Sequence, residues 1–475
     1  MKCRVSAESV VVTLLLCAGM AVAVPRGVSA DGQGDLAAGR ASSIVSGNLK
    51  EMLPIMPKIV LHQYLSASFS ATDWVGSSGG ARRYSAKGLP SGLRIRSSDG
   101  LVTGAPKRAG TFKVKLMATG GGEAPAELTV LIEVLPCPEF AKGEFFGFVY
   151  DNQVPVRLRG TFSFKVSASG AISGRIETGG SKRPLRGVWE SGDETARTVV
   201  LKSGAQAMMT LAVAPTFVAG STADGLFMLG AQVMPREDAE SVAGLYGLGL
   251  RAVALKAMPG APTGYGYVSC SIVSRTSSVK YGGLLADGTS VSGSSKIIWY
   301  GIVLVPGEAA FFVLYKPLYN KRGVVAGVAA WVPNSGEAAV ALAYWAHPGK
   351  SSGRGATPPF VVDLEGKAAR YDPPADWNAL FDGAFLRAEG EPIAAISGVG
   401  GKPTVSVPGV NLTFNQKNGL FSGRFKDETG AVRNFKGLFL PFYRFGVGFY
   451  LCPEGGHTTP SSRSIDLKCL GADLP

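Results

Sequence analysis

The side chains that could do chemistry are concentrated in one segment, YDPPADWNALFDGAF, which carries three carboxylates. Asp372, Asp376 and Asp382 stand close together in this segment. A pair of carboxylates is sufficient for glycoside hydrolysis, with one acting as general acid and the other as nucleophile or base. Tyr371 and Trp377 beside them could stack on a sugar ring. We prefer a simpler interpretation, in which Asp376 caps a short helix and the aromatic side chains belong to a core.

The histidines do not indicate a second kind of chemistry. His62, His347 and His457 lie far apart in the chain, and none of them occurs in an HExxH, HxH or Ser-His-Asp context. The sequence also contains neither a P-loop nor the GxGxxG fingerprint of dinucleotide-binding folds. We therefore predict that the protein is not an enzyme and needs no cofactor. A glycan-active hydrolase that uses a carboxylate pair is the alternative.

The first thirty residues have the pattern of a secretory signal peptide. Lys2 and Arg4 precede an apolar run that is shorter than the roughly 20 residues needed to span a bilayer. Small-residue cleavage patterns end at Ala23 and Ala30. We expect a signal peptide at 1–30, a polar linker at 31–52 and no transmembrane helix in the mature chain. The protein is then exported, to the periplasm, the cell surface or the extracellular space.

The remaining cysteines favour disulfides, because an even number of cysteines in an exported protein usually pairs. Cys452 and Cys469 bracket a polar segment and form the preferred pair, which leaves Cys137 and Cys270 as the second pair. The alternative is that all four are buried thiols.

The charge balance favours acidic partners. The chain has 48 Lys and Arg residues against 35 Asp and Glu residues, a net charge of +13. Such a charge attracts anionic glycans, cell-wall polymers and other acidic polymers. No basic stripe with interleaved aromatic residues occurs, so we expect no specific nucleic-acid site. Glycans and other cell-surface or matrix proteins are the predicted partners.

Two aromatic pairs are candidates for stacking on glycans. They are Tyr344 with Trp345, and Tyr371 with Trp377. Because successive side chains along a strand point to opposite faces, about half of such residues point inward. We therefore expect most of the aromatic residues to lie in cores.

Short alternating apolar runs between turn residues indicate a β-sandwich at 53–136. Three motifs there, GLPSGL from Gly88, DGLVTGAP from Asp99 and AGTF from Ala109, resemble the immunoglobulin-like domain of bacterial surface proteins, which is related to cadherin-like sandwiches. The resemblance covers about residues 55–135. It implies a spacer or adhesive module, and in some cadherin-like relatives calcium between domains. The clustered acidic ligands of a calcium site are missing from this stretch.

A glycine-punctuated hairpin pattern follows the sandwich three times. Its copies begin at Ile172, Tyr281 and Phe421, and a glycine-rich strand precedes each copy by some distance. In each copy the glycine has the same parity as its apolar neighbours, so it points to the inner face of the strand. Glycine at such a position accommodates a large side chain opposite and allows the strand to bend tightly, as a barrel requires.

The later repeats also carry a resemblance. The segments TGYGYVSCSIV, GGLLADGTSVSGS, KPLYNKRGVVAGVAAW and LTFNQKNGLFSGRFKDETGAVRNFKGLFL are similar, in this order, to an uncharacterised glycine-punctuated β repeat region of large secreted bacterial surface proteins. The resemblance runs from about 240 to 455 and implies a location but no activity.

The predicted fold class is all-β: an N-terminal immunoglobulin-like sandwich followed by antiparallel barrel-like or curved-sandwich repeat domains. We place one barrel-like domain at 137–238 and a larger one with two repeats at 239–475. The predicted function is non-enzymatic, in adhesion, extracellular matrix structure or glycan binding. An outer-membrane β-barrel is a further alternative, although the polar C-terminal tail differs from the aromatic end typical of such barrels.

Overall fold

A computed structural model describes residues 56–76, 82–122, 124–253, 261–300, 309–331, 337–349, 358–453 and 460–472. The predicted signal peptide, the predicted linker and His457 lie outside the described residues. Nearly all of the regular structure is β-strand, which confirms the all-β prediction. The strands form one sandwich and three barrel-like sheets that follow one another along the chain.

The first domain is a sandwich. Its elements are β1 (Lys58–His62), β2 (Ala67–Ser70), α1 (Thr72–Val75), β3 (Arg82–Lys87), β4 (Leu93–Ile95), β5 (Leu101–Gly104), β6 (Gly110–Gly120) and β7 (Ala126–Leu135). One sheet has the order β1-β7-β6-β3, with β1 parallel to β7, and the other has the order β2-β5-β4. Along β6, Val114, Leu116 and Ala118 are fully buried, whereas Lys113 before them is exposed and the residues between them are half-buried. This period of two is what places one face of the strand in the core.

The second domain, which we call the first barrel, is a closed antiparallel barrel. Its strands are β8 (Gly143–Tyr150), β9 (Leu158–Val166), β10 (Ile172–Thr178), β11 (Ser181–Gly192), β12 (Arg197–Ser203), β13 (Gln206–Val213), β14 (Val218–Thr222) and β15 (Phe227–Gln232). The barrel closes because β8 pairs with both β9 and β15. Phe145 and Phe164 stack inside it with ring centroids 4.5 Å apart.

The second barrel is a nine-stranded antiparallel sheet that is strongly curved and nearly closed. It follows α2 (Arg236–Ala239) and consists of β16 (Gly244–Val253), β17 (Tyr265–Val273), β18 (Ser278–Leu284), β19 (Ser290–Lys296), β20 (Ile298–Tyr300), β21 (Ala309–Leu318), β22 (Gly323–Trp331), β23 (Glu337–His347) and β24 (Phe360–Arg370). The sheet runs from β19 at one edge to β20 at the other, so its edges are neighbours in the chain. Tyr281 of β18 faces Phe312 of β21 across the interior, with ring centroids 6.4 Å apart.

The third barrel has eight antiparallel strands. It follows α3 (Trp377–Phe381) and consists of β25 (Ala384–Ala388), β26 (Glu391–Val399), β27 (Lys402–Val405), β28 (Asn411–Phe414), β29 (Leu420–Lys426), β30 (Val432–Leu440), β31 (Phe445–Pro453) and β32 (Pro460–Lys468). Its edges are β27 and β28, again consecutive in the chain. Leu380 and Phe381 of α3 are buried in its core.

The region 239–475, in which we predicted one larger domain with two repeats, contains two separate sheets. In each sheet the first strand pairs with the last, β16 with β24 and β25 with β32, so each sheet curls back on itself and stays open only between its two edge strands. The three predicted repeats therefore belong to three barrels, one in each. The sequence pattern marks the hairpins but does not show which distant strand completes each sheet.

The inward orientation predicted for the repeat glycines is confirmed. In the second barrel Tyr281 lies directly opposite Gly293, and the Tyr281 ring occupies the space that a Cβ atom would need. In the third barrel Phe435 lies opposite Gly423, and a Cβ on that glycine would meet the Phe435 ring. The aromatic side chain thus covers the backbone of the facing glycine, as is common where a sheet bends sharply.

Apolar contacts join each domain to its neighbour in the chain. Leu65 of the sandwich forms an isolated parallel β-bridge, through the backbone, to Trp189 of the first barrel. Phe146 and Phe148, on the outer face of the first barrel, are buried with residues of the second barrel such as Phe311. The second and third barrels share a smaller cluster, which consists of Tyr267, Leu438, Leu440 and Phe449.

Two adjacent glycines in β18, one inward-facing and one outward-facing, allow a test of why glycine is needed at the inward-facing positions. A Cβ on Gly283 would collide with the backbone of β17 at Tyr267, whereas a Cβ on the outward Gly282 would have no heavy atom closer than 4.0 Å. We expect Gly283→Ala to reduce the free energy of unfolding by about 1–3 kcal/mol and Gly282→Ala to change it by less than about 0.5 kcal/mol. Equal thermal unfolding midpoints for the two variants would contradict this account of the bend.

Candidate binding site

The three carboxylates of the YDPPADWNALFDGAF segment have separate structural environments. Asp376 is the N-cap of α3, and its Oδ1 accepts hydrogen bonds from the backbone N–H groups of Asn378 and Ala379 at 2.8 and 3.2 Å. Asp372 is exposed and pairs with Arg370 at 3.2 Å. Asp382 is the exposed C-cap residue of the same helix. The capping role that we preferred for Asp376 is confirmed.

Three of the four aromatic residues predicted to stack on glycans are buried in the structure, and the fourth is half-buried. Tyr371 is 6% exposed and donates a hydrogen bond to the Gln416 carbonyl at 2.6 Å. Trp377 is half-buried and stacks on Phe381. Tyr344 and Trp345 are 4% and 1% exposed. A sugar ring needs an accessible aromatic face, which burial largely removes from Tyr344, Trp345 and Tyr371.

No disulfide joins the predicted cysteine pairs. In the hairpin of β31 and β32, Cys452 pairs with Ser461 at one end, while Cys469 follows Lys468 at the other end. The two cysteines are therefore on the order of 20 Å apart, far beyond the reach of a disulfide. Cys137 and Cys270 are buried in the cores of different barrels. All four described cysteines are thiols; Cys137, Cys270 and Cys469 are buried, and Cys452 is half-buried.

The described histidines have separate environments. His62 lies on β1 of the sandwich. His347 lies in the second barrel between the rings of Tyr319 and Phe360, at centroid distances of 4.4 and 5.0 Å. Burial lowers the pKa of His347. In the described part of the chain, no group of three or more His, Cys, Asp or Glu side chains could hold a metal ion.

A cleft of about 600 Å³ opens between the first and second barrels. Cross-barrel contacts form its floor. The Tyr344 hydroxyl donates a hydrogen bond to the Leu158 carbonyl at 2.6 Å, and the Tyr315 hydroxyl donates one to the Arg159 carbonyl at 3.0 Å. The Arg157 guanidinium lies 4.7 Å from the centroid of the Tyr344 ring. Because both barrels supply these groups, the site exists only when the barrels are packed together.

The charged side chains that line this cleft are all cationic: Arg157, Arg159, Lys321 and Arg322. Arg157 and Arg159 form ion pairs with Asp363 and Asp151, respectively, and neither aspartate lines the cleft. Lys321 and Arg322 are exposed on the opposite wall. The remaining lining is mostly apolar, a composition that is typical of ligand sites with a few polar groups.

The turn that carries Lys321 and Arg322 has an unusual backbone. Tyr319, Asn320 and Lys321 have φ angles of +52°, +56° and +67°, so three successive residues with side chains adopt the left-handed region. Each such residue costs free energy, and conformations of this kind persist only where the surroundings hold them. The Tyr319 hydroxyl helps to hold this turn in place. It accepts a hydrogen bond from Trp345 at 3.1 Å and donates one to the Asp287 carboxylate at 3.2 Å.

A smaller pocket of about 240 Å³ adjoins the cleft and shares Tyr315 and Pro317 with it. Its lining is polar. Hydroxyl groups and charged side chains from both barrels contribute, namely Thr161, Ser163, Arg175, Glu177, Lys182, Tyr281, Ser292, Ser294, Tyr315 and Lys316. Glu177 lies 3.5 Å from Lys182, so the pocket as a whole retains a positive charge.

Sequence reasoning missed this site. The turn residues Lys321 and Arg322 stand in the segment KPLYNKRGVV, where two adjacent basic residues before a glycine are a weak signal. Nothing local indicates that Arg157, far away in the chain, faces the same space. The site depends on how two barrels pack, which periodicity does not reveal.

The junction between the second and third barrels contains a buried carboxylate. Asp466 of β32 is 8% exposed, and its nearest cationic partner is Arg387, at 3.8 Å. Burial raises the pKa of Asp466 to about 6, although Arg387 and Lys468 act in the opposite direction.

The comparisons with known proteins concern mainly the first domain. Residues 60–134 match a family model described as "Putative Ig domain", which confirms the immunoglobulin-like sandwich. No curated protein matches the chain. In the described residues, no helix is both long and apolar enough to span a membrane.

Three solved structures align with most of the chain at low similarity. They are the protocadherin gammaB7 EC3-6 cis-dimer (10% identity, 87% of this chain and 99% of that chain, TM-score 0.15), a DUF4784 family protein from Bacteroides caccae (9%, 86% and 96%, 0.14) and the extracellular cadherin domains 3-6 of protocadherin gamma B2 (10%, 86% and 96%, 0.15). TM-scores this low support no conclusion about the function of this chain.

Substitutions in the YDPPADWNALFDGAF segment separate a capping role from a catalytic one. Asp376→Ala removes the acceptor for two backbone N–H groups of α3, so we expect it to reduce the free energy of unfolding by about 1 kcal/mol. The matched control Asp372→Ala removes only an exposed ion pair, so it should reduce the free energy of unfolding by at most a few tenths of a kcal/mol. Chemical denaturation of both variants measures the difference, and an equal cost would contradict the capping role.

The raised pKa of Asp466 predicts a pH dependence of stability. The folded protein holds this proton more tightly than the unfolded chain does, so protonation of Asp466 stabilises the folded state as the pH falls from about 7 towards 4. We expect Asp466→Asn to be more stable than the unmodified chain near pH 7 and to reduce the pH dependence in this window. Thermal unfolding at several pH values measures the effect. Parallel profiles for the two proteins would contradict it.

Proposed function

We propose that this protein is an exported, non-enzymatic adhesion protein that binds a surface or matrix polymer in the cleft between its first and second barrels. The proposal rests chiefly on that cleft. It is large enough for a ligand, it is formed by two domains, and its charged lining is entirely cationic. The immunoglobulin-like domain before it is typical of extracellular proteins without catalytic activity.

The way in which the domains are joined supports an adhesive role. Each junction buries apolar or aromatic side chains, as with Phe146 and Phe311 between the first and second barrels. At the first junction, Arg197 is 1% exposed and donates a hydrogen bond to the Gln63 carbonyl of the sandwich at 2.9 Å. Buried contacts of this kind limit the motion of neighbouring domains. A protein that bears load between a cell and a polymer benefits from such junctions.

Binding of the purified full chain to cell-wall and matrix polysaccharide fractions tests the proposal. The fractions are immobilised, and binding is measured at about 0.05 M and about 0.5 M salt, because screening weakens only the contribution of charges. We expect saturable binding to at least one fraction that weakens at high salt but does not vanish. Complete loss at high salt would indicate attraction by the net charge alone, and either this result or no binding at all would overturn the proposal.

A further inference from the structure

We propose that the occupant of the cleft is an acidic oligosaccharide, with carboxylate or sulfate groups, that extends across Tyr315 into the smaller pocket. This inference rests on the proposed function and specifies its ligand. The two cavities share Tyr315 and Pro317, so one extended ligand can contact both.

The charges of the two cavities select an anion. No carboxylate lines the main cleft, and Lys321 and Arg322 at its wall make no ion pair with other described residues. In the smaller pocket, Arg175 and Lys316 add cations beyond the pair of Lys182 with Glu177. Guanidinium and ammonium groups form their strongest hydrogen bonds with carboxylate, sulfate and phosphate groups.

The uncharged groups select a sugar among anionic ligands. The smaller pocket presents hydroxyl groups of serine, threonine and tyrosine side chains, which both donate and accept hydrogen bonds, as sugar hydroxyls do. The main cleft offers apolar surface at Pro155, Pro317 and Val361 for the C–H faces of a ring. Both cavities are open to solvent.

The strained turn favours tight binding. Hydrogen bonds of the Tyr319 hydroxyl with Trp345 and Asp287 fix the start of this turn. In addition, the Lys321 side chain packs where a Cβ on Gly180 of the first barrel would lie, with its Cγ 2.8 Å from that position. Binding then has less conformational entropy to remove from these groups. Tyr319 is a positioning residue in this account.

The test compares a double variant in the cleft with a matched control. Lys321→Ala combined with Arg322→Ala removes two adjacent charges from the cleft wall. Lys107→Ala combined with Arg108→Ala removes two adjacent, exposed charges from a turn of the sandwich and changes the net charge equally. Arg175→Ala tests the smaller pocket. Thermal unfolding of each variant shows that it is folded before binding is measured.

The probes are a galacturonic acid hexamer and dimer, a sulfated galactose hexamer, a neutral galactose hexamer and inorganic polyphosphate. We expect one of the two acidic hexamers to bind and the neutral hexamer to bind at least about tenfold more weakly. The cleft variant should lose about tenfold in affinity for the acidic hexamer and the control less than about twofold. Arg175→Ala should weaken binding of the acidic hexamer more than binding of the dimer, because only the longer chain reaches the smaller pocket.

Several results would overturn the inference. Equal binding of neutral and acidic hexamers would exclude selection by charge. Polyphosphate binding as tight as that of the acidic hexamer, with the same loss in the cleft variant, would identify a general polyanion site. If the cleft variant still bound the polysaccharide fractions at full strength, the cleft would not be the site, and this would overturn both the inference and the location of binding in the proposed function. Absence of binding to every fraction and probe would overturn both proposals.

Discussion

The three barrels depend on the close approach of glycine backbone to an aromatic or aliphatic side chain on the facing strand. In the third barrel, Phe421 and Gly437 lie directly opposite each other, and the Phe421 ring fills the space above the glycine. In the first barrel, Leu201 and Ile172 cover Gly187 in the same way. A strand can bend tightly only where no side chain prevents it, and the large neighbour replaces the packing that glycine lacks. These bends allow the first barrel to close and the other two sheets to curl nearly into barrels.

Closure directs one face of every strand inward, and the outer faces then decide how the domains assemble. Phe146 and Phe148 belong to the outer face of the first barrel, and they are buried only because the second barrel covers them. The cleft is a consequence of the same contact, since two convex surfaces that touch leave a groove beside the line of contact. Its cations therefore come from distant parts of the chain, as Arg157 and Lys321 show.

Buried charged groups lie at two of the junctions between domains. Arg197 is buried between the sandwich and the first barrel, with Nε and Nη2 lacking a hydrogen-bond partner among the described residues. Asp466 is buried at the junction of the second and third barrels, with its nearest cationic partner, Arg387, 3.8 Å away. Buried charges with few partners are costly, and both residues lie where two domains meet. Stability contributed by the cores is thus partly offset at the junctions.

The sequence by itself determined the local features of this protein. Alternation along β6 specified which side chains of the sandwich are buried, glycine parity in the repeats specified the inner face of each hairpin, and Asp376 identified the start of α3. These features depend on residues within one or two strands, whose geometry has a period of two. Only the tertiary structure decided that 239–475 divides into two barrels, that Cys452 and Cys469 lie at opposite ends of a hairpin, and that Tyr344 and Trp345 are buried. It also created the cleft. Each of these outcomes depends on pairing or packing between residues that are distant in the chain, and neither composition nor periodicity encodes which distant segments meet.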